Sequence, residues 1–278
     1  MSVAVVLPAR LESTRLREKL LLNRTGRTLL EHTLERAKEA QHAQPGAVTT
    51  VLVACDDPRL SEAAGRAGVR AVLTRKDHPS GTDRIAEAAE GLNEDLIVNL
   101  QADEPELEPE LILRLVELMA AAPAQRFPVG TLCAPIYDEA AFQAPNVVKV
   151  ILDGFDARRS WHRALYFSRA PIPFVRDTAP TPDGWTMSDP SGASRRVLGW
   201  HHIGMYAYRR EFLKTFCALP PASLEKREKL EQLRVLENGY EMAVAVCHAH
   251  PPGIDTPEDY EAFVSRWNSK HQEPRAKS

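Results

Sequence analysis

The stretch from Ala4 to Lys19, AVVLPARLESTRLREK, decides the fold. Val3 to Leu7 is a short apolar, β-branched run closed by Pro8, which reads as a buried strand, so the loop after it opens at a strand's carboxyl end. Open α/β sheets bind their ligands at that end. Arg10, Ser13, Thr14, Arg15, Arg17 and Lys19 follow at once, a density of donors suited to a polyanion such as a nucleoside triphosphate. An Arg-rich loop is by default a solvated surface. This one directly follows a strand and interleaves its cations with hydroxyls. It has neither Gly-x-Gly-x-x-Gly nor Gly-x-x-x-x-Gly-Lys, so a dinucleotide loop and a P-loop are unsupported, and side-chain cations must replace glycine amides.

Outward from that loop, strand and helix signals alternate. Strands are predicted at Val48–Ala54, Arg70–Leu73 and Leu96–Leu100, and helices from Thr28, Asp57 and Thr82 and over Pro109–Ala121. The alternation predicts an α/β fold with a mainly parallel, Rossmann-like sheet flanked by helices. Thr28 with Glu31 reads as a capping box, and Pro58 after Asp57 as N-cap and N1. The second half is less regular, with strand-like runs at Thr131–Ile136, Val147–Leu152, Leu165–Phe167, Gly204–Tyr208 and Met242–Val246, and a helical run at Leu224–Leu236. Residues 171–199, rich in Pro, Asp, Ser and Gly, read as an extended loop, and the chain after Trp267 as a polar, frayed tail. The expected organisation is one domain over 1–268, with halves at about 1–125 and 126–268, and a tail at 269–278.

Composition narrows the function. A 278-residue chain with 44% hydrophobic and 26% charged residues is globular rather than disordered. A net charge of −3 argues against nucleic-acid binding, so the basic loop is a local feature and its partner a small anion. Cys55, Cys133, Cys217 and Cys247 are widely spaced without a C-x-x-C pair, which reads as reduced thiols rather than a zinc site or disulfide framework. No stretch has the make-up of a signal peptide or the apolar length to span a bilayer, so the expected location is cytoplasmic, without membrane insertion.

The cation loop also carries a resemblance. Pro8-Ala9-Arg10, Ser13-Thr14-Arg15-Leu16 and Lys19 are similar to the opening signature of the CMP-Kdo synthetases, the 3-deoxy-manno-octulosonate cytidylyltransferases. The likeness continues in order through His78, Ser80–Arg84, Asn99–Pro105, Asn146–Val150, Leu165–Arg169, His202–Tyr206, Leu230–Arg234 and Gly253–Asp259. Ordered blocks along nearly the whole chain are far more specific than one motif.

The resemblance implies a glycosyltransferase-A-like nucleotidyltransferase fold, with a smaller lobe for homodimer contact and sugar binding. It implies activation of Kdo with CTP to CMP-Kdo and pyrophosphate, for lipopolysaccharide-type sugar biosynthesis. Arg10, Arg15, Lys19, Asp103 and Asp255 would be the catalytic group, with magnesium on Asp103 and Asp255. Pro8, Ala9, Arg10, Arg15, Lys19, Arg75, Ser80, Gly81, Thr82, Arg84 and Gln101 would bind CTP. Arg169, His202, Tyr206, Glu231 and Gln232 would bind the sugar acid. On the residues alone, Asp255 before Thr256-Pro257 reads as a helix N-cap, and His202 and Tyr206 as packed core. Both readings stay open at this point.

Departures from the family pattern add expectations. Leu16-Arg17-Glu18-Lys19-Leu20 stands where the family usually has Leu-Pro-Gly-Lys-Pro, Ala102 replaces a glycine, Pro79 a glutamine and His201 an arginine. A methyl group at 102 would clash if the backbone there needed positive φ. His201 is the departure expected to bear on sugar choice, with 8-amino-Kdo or another keto-sugar acid as the alternative acceptor. A relative that binds nucleotide or sugar acid without turnover is the alternative of another class.

Overall fold

The computed structural model describes residues 1–44, 46–176, 185–188, 192–248 and 253–271. Val3–Ala9 forms β1, whose Val3 to Leu7 are completely buried. Thr50–Cys55 (β2) pairs parallel to it, from Ala4 opposite Thr50 to Ala9 opposite Cys55, and Arg70–Leu73 (β3) pairs parallel to β2. The intervening helices start where their caps dictate. Helix α1 (Leu29–Ala43) opens on a capping box in which Thr28 Oγ1 accepts from Glu31 N and Glu31 Oε2 accepts from Thr28 N. Helix α2 (Pro58–Arg66) is capped by Asp57, and α3 (Gly81–Ala89) by Ser80, one residue earlier than the sequence expectation.

These elements belong to one of two compact units, formed by the described residues of Ser2–Asn93, Asn99–Pro109 and Pro251–Ser278. The other unit comprises the described residues of Met1, Glu94–Val98 and Glu110–His250. In chain order its elements are β4 (Leu96–Asn99), α4 (Pro109–Ala121), β5 (Val129–Ile136), α5 (Glu139–Gln143), β6 (Lys149–Leu152) and β7 (His162–Ser168). Then come β8 (Thr186–Ser188), β9 (Ser194–Arg196), β10 (Gly199–Arg209), α6 (Arg210–Ala218), α7 (Ser223–Glu228), α8 (Leu233–Glu237) and β11 (Met242–Val246).

The strand order here is β4-β10-β5-β11-β7-β6. β11 runs parallel to β5, whereas β10 is antiparallel to β5 and β6, and β7 antiparallel to β11 and β6. The 171–199 stretch is not loop throughout: β8 and β9 pair antiparallel, while 177–184 and 189–191 lie outside the described residues. The helical run expected over Leu224–Leu236 is two helices, because Lys229 turns left-handed at φ 54° and ends α7.

The last helix, α9 (Pro257–His271), returns to the first unit, where Phe263 and Trp267 pack edge-on against His32 of α1 at 5.2 and 4.3 Å. It continues three residues into the predicted tail, with His271 stacked on Trp267 at 3.8 Å. Residues 272–278 lie outside the described residues. All four cysteines are free, and among the described residues no helix is long and apolar enough to cross a membrane.

Two departures now have structural outcomes. Glu18, which departs from the Leu-Pro-Gly-Lys-Pro pattern that the chain otherwise resembles, adopts φ 48° and ψ 36° at the head of a 3-10 turn over Lys19–Leu21, and its carboxylate accepts from Arg59 Nη1 at 2.9 Å. The left-handed conformation disfavours a Cβ, and the exposed ion pair offsets only part of that cost. Glu18→Gly is therefore expected to raise stability by roughly 0.5 kcal/mol in a denaturant titration. A lowered midpoint would show that the Arg59 pair outweighs the strain. Ala102, by contrast, is not among the positive-φ residues, so the clash expected of its methyl group does not arise.

Candidate active site

The end of β1, the 3-10 turn, the start of α3, the loop after β4 and the residues leading into α9 surround a cleft of about 430 Å³ in the first unit. Pro8, Arg10, Arg15, Lys19, Ser80, Gly81, Gln101, Asp103 and Asp255 line it. The volume is that of a small-molecule site. At its floor Lys19, only 8% exposed, directs its ammonium to Asp103 Oδ2 (2.5 Å), the Ile254 carbonyl (2.6 Å) and Asp255 Oδ1 (3.2 Å). Three N–H donors meet three acceptors. Asp255 Oδ2 also accepts from Arg15 Nη1 at 3.1 Å. Two carboxylates thus converge on one cation position. Burial, with Asp103 adding, pushes the neighbouring Glu104 carboxyl up to about 8.

Asp255 is not the cap of α9. Thr256 Oγ1 accepts from Asp259 N (3.2 Å) while Asp259 Oδ2 accepts from Thr256 N (2.9 Å) and Asp255 N (3.1 Å), so a reciprocal box closes the helix end without the Asp255 carboxylate. That carboxylate is left to the cations. Gly81 forms the opposite wall: a Cβ there would lie a tight 3.3 Å from Pro8 Cγ, so the α3 amino end packs directly on the proline. Gln101 is oriented by donating to Asn99 Oδ1 at 2.9 Å.

Several residues expected to touch nucleotide do not line the cleft. Arg84 is completely buried, donating to Thr74 Oγ1 (2.6 Å) and Asp56 Oδ2 (3.1 Å), so no solute reaches it. Thr82 and Ala9 are buried behind the wall. Arg75 is exposed and pairs with Glu87. Asp56, which accepts from Leu11 N as well as Arg84, went unnoticed in the sequence; an Asp-Asp pair directly after a strand was the available signal.

The sugar-acid candidates lie in the other unit. His202 is 6% exposed; Nε2 meets Thr131 Oγ1 at 3.0 Å, Nδ1 lies 3.5 Å from Gln232 Nε2, and its ring sits 5.5 Å from that of Tyr206. Burial, and then Glu231, raises the Tyr206 phenol, so these four residues form one polar cluster. The Arg169 guanidinium donates to the carbonyls of Glu228 (2.7 Å), Pro145 (3.0 Å) and Lys229 (3.4 Å), pinning two loops together. His201 and His202 are consecutive in β10 and point to opposite faces, and His201 pairs across the strands with Lys149. Its placement therefore does not support the expected role in sugar choice.

Known proteins resemble the chain along nearly its whole length. Residues 4–243 match the family described as cytidylyltransferase. The 3-deoxy-manno-octulosonate cytidylyltransferase of Geobacter sulfurreducens is 41% identical over 96% of this chain and 99% of its own length, and that of Rhodopirellula baltica 43% over 97% and 100%. A solved CMP:2-keto-3-deoxy-manno-octonic acid synthetase complexed with CTP superposes with a TM-score of 0.81 at 36% identity, covering 97% of this chain and all of that one. Full-length similarity at this level, joined to a cation-lined cleft at the end of β1, means that the chain belongs to the 3-deoxy-manno-octulosonate cytidylyltransferases, a family of nucleotidyltransferases.

Proposed function

We propose that this enzyme joins CTP and Kdo, the anomeric hydroxyl oxygen attacking the α-phosphorus while pyrophosphate leaves. The observation that carries the reading is the convergence of Arg15 and Lys19 with Asp103 and Asp255 in the cleft. Phosphoryl-type displacement depends on in-line positioning and charge neutralisation, which this set supplies, more than on a strong base. Arg10 and Arg15 would hold the triphosphate, and Pro8, Gly81 and Gln101, which line the same cleft, would face the cytosine ring. His202, Tyr206, Glu231 and Gln232 offer donors and acceptors suited to the hydroxyls of a sugar acid.

The donor set fits a divalent cation of the magnesium type: hard carboxylate oxygens of Asp103 and Asp255 already converge on one positive charge. A metal held there by Asp103 and Asp255 would supply Lewis-acid neutralisation of phosphate charge and would make the attacking hydroxyl easier to deprotonate. In this structure Lys19 performs the neutralisation. A symmetric homodimer, the commonest closed assembly, is supported by exposed Leu165, Phe174 and Val175, and light scattering should report twice the 31.0 kDa chain mass. A concentration-independent monomer would reject it. Because CTP is a cytoplasmic metabolite, the enzyme belongs in the cytoplasm.

The reaction is tested by pyrophosphate release with CTP, magnesium and Kdo, with ATP and GTP as alternative nucleotides and 8-amino-Kdo among alternative acceptors. CTP with Kdo should give the highest kcat/KM. Intact CTP binding without pyrophosphate for any acceptor would make the chain a binding module.

A further inference from the structure

An ion pair behind the cleft, between fully buried Arg84 and half-buried Asp56, has no part in the chemistry above. β1 ends at Ala9, so the amide of Leu11 has left the strand ladder and needs another acceptor. Asp56 provides it: Oδ1 accepts from Leu11 N at 2.9 Å and Oδ2 accepts from Arg84 Nη2 at 3.1 Å. Arg84, on α3, is fixed in turn by donating through Nη1 to Thr74 Oγ1 at 2.6 Å. Thr74 is anchored twice to the Cys55 carbonyl, through its amide (2.8 Å) and its hydroxyl (3.1 Å). An unbroken chain of hydrogen bonds therefore runs from the end of β2 through α3 to the first residue after Arg10.

A fully buried guanidinium is costly. Burying an ion pair breaks even at best, and an aliphatic side chain of similar volume would often serve stability as well. Arg84 Nε is moreover buried without a hydrogen-bond partner. What the pair supplies is geometry: it fixes the backbone at the point where the cation loop begins. The neighbouring Arg10 is tied to the same helix by a second route, its Nη2 donating to the His78 carbonyl at 3.0 Å while the His78 ring pairs with Glu87 of α3.

We propose that Asp56, braced by Arg84, is a positioning residue for triphosphate binding: it holds the first turn of the Arg10–Lys19 loop in the shape that receives the nucleotide. The proposal rests on the nucleotidyl-transfer reading of the cleft. The two fail separately, since a parent that binds CTP but releases no pyrophosphate defeats only the reaction.

The test is Asp56→Asn. An amide has one acceptor oxygen, so either Leu11 N–H or Arg84 must then face an NH₂ group. The Kd for CTP by calorimetry and the KM for CTP should both rise at least about 10-fold, while kcat falls less than about 3-fold and the acceptor KM is unchanged. Adding Arg84→Met should weaken CTP binding little further, because both residues act through one link. A parental CTP Kd in Asp56→Asn would overturn the proposal, as would equal losses for CTP and acceptor, which mark general destabilisation. The parent protein offers a check that needs no variant. Without nucleotide, the Leu11 amide should exchange its hydrogen about 100-fold more slowly than in an unstructured peptide, and free exchange would mean that the link does not form.

Discussion

Asp255→Asn is expected to melt close to the parent temperature and to lose at least ~100-fold in turnover at saturating magnesium, about 3 kcal/mol of transition-state stabilisation. The small thermal effect follows from the reciprocal box of Thr256 and Asp259, which closes α9 without help from the Asp255 carboxylate. Its bond to Arg15 is exposed, and pairs of that kind contribute little. Lys19 keeps Asp103 and the Ile254 carbonyl. The large kinetic effect follows because a neutral amide cannot match phosphate-bound cationic charge in the transition state. Thr256→Ala should show the opposite pattern, about 1 kcal/mol of lost stability with turnover nearly intact. Near-parental turnover in Asp255→Asn would end the two-carboxylate mechanism.

Lys19→Met should be damaging in a different way. Without the ammonium, Asp103 and Asp255 repel each other and the Ile254 carbonyl loses its donor. Because the two carboxylates are partly exposed, at 28% and 51%, solvent softens the penalty to about 2 kcal/mol of stability. Turnover should fall at least ~100-fold through loss of a positive charge beside the phosphates. The informative readout is thermal. Magnesium should raise the melting temperature of Lys19→Met more than that of the parent, since the bare carboxylates bind it without displacing an ammonium. Equal shifts in the two proteins would mean that the aspartates do not form a cation site.

Much of the first unit was legible because its signals are local. An apolar run closed by Pro8, caps at Thr28 and Asp57 and a dense cation loop each act over a few residues, and the structure forms β1, α1 and α2 from them. Arg84 was misjudged for the opposite reason. Its partner Asp56 is distant in sequence, and an arginine in a loop-helix motif looks the same whether its guanidinium meets solvent or a buried carboxylate. Arg169 is similar, since three main-chain carbonyls that absorb its donors come from two other loops. His201 drew attention because it stands in place of a family arginine, and strand alternation places it on the face opposite His202. Asp255 was ambiguous because Asp and Thr both cap helices, and only the side-chain bonds of Thr256 and Asp259 separate them.

The return of α9 to the first unit has a temporal consequence. A ribosome releases the basic loop well before Asp255, Ile254 and the helix behind them, because Lys19 and Ile254 are 235 residues apart. Until then Lys19 lacks two of its three acceptors. A nascent or prematurely terminated chain thus carries an open basic loop without the acidic wall that completes the cleft. Closure of the cleft therefore waits for the segment that leads into α9.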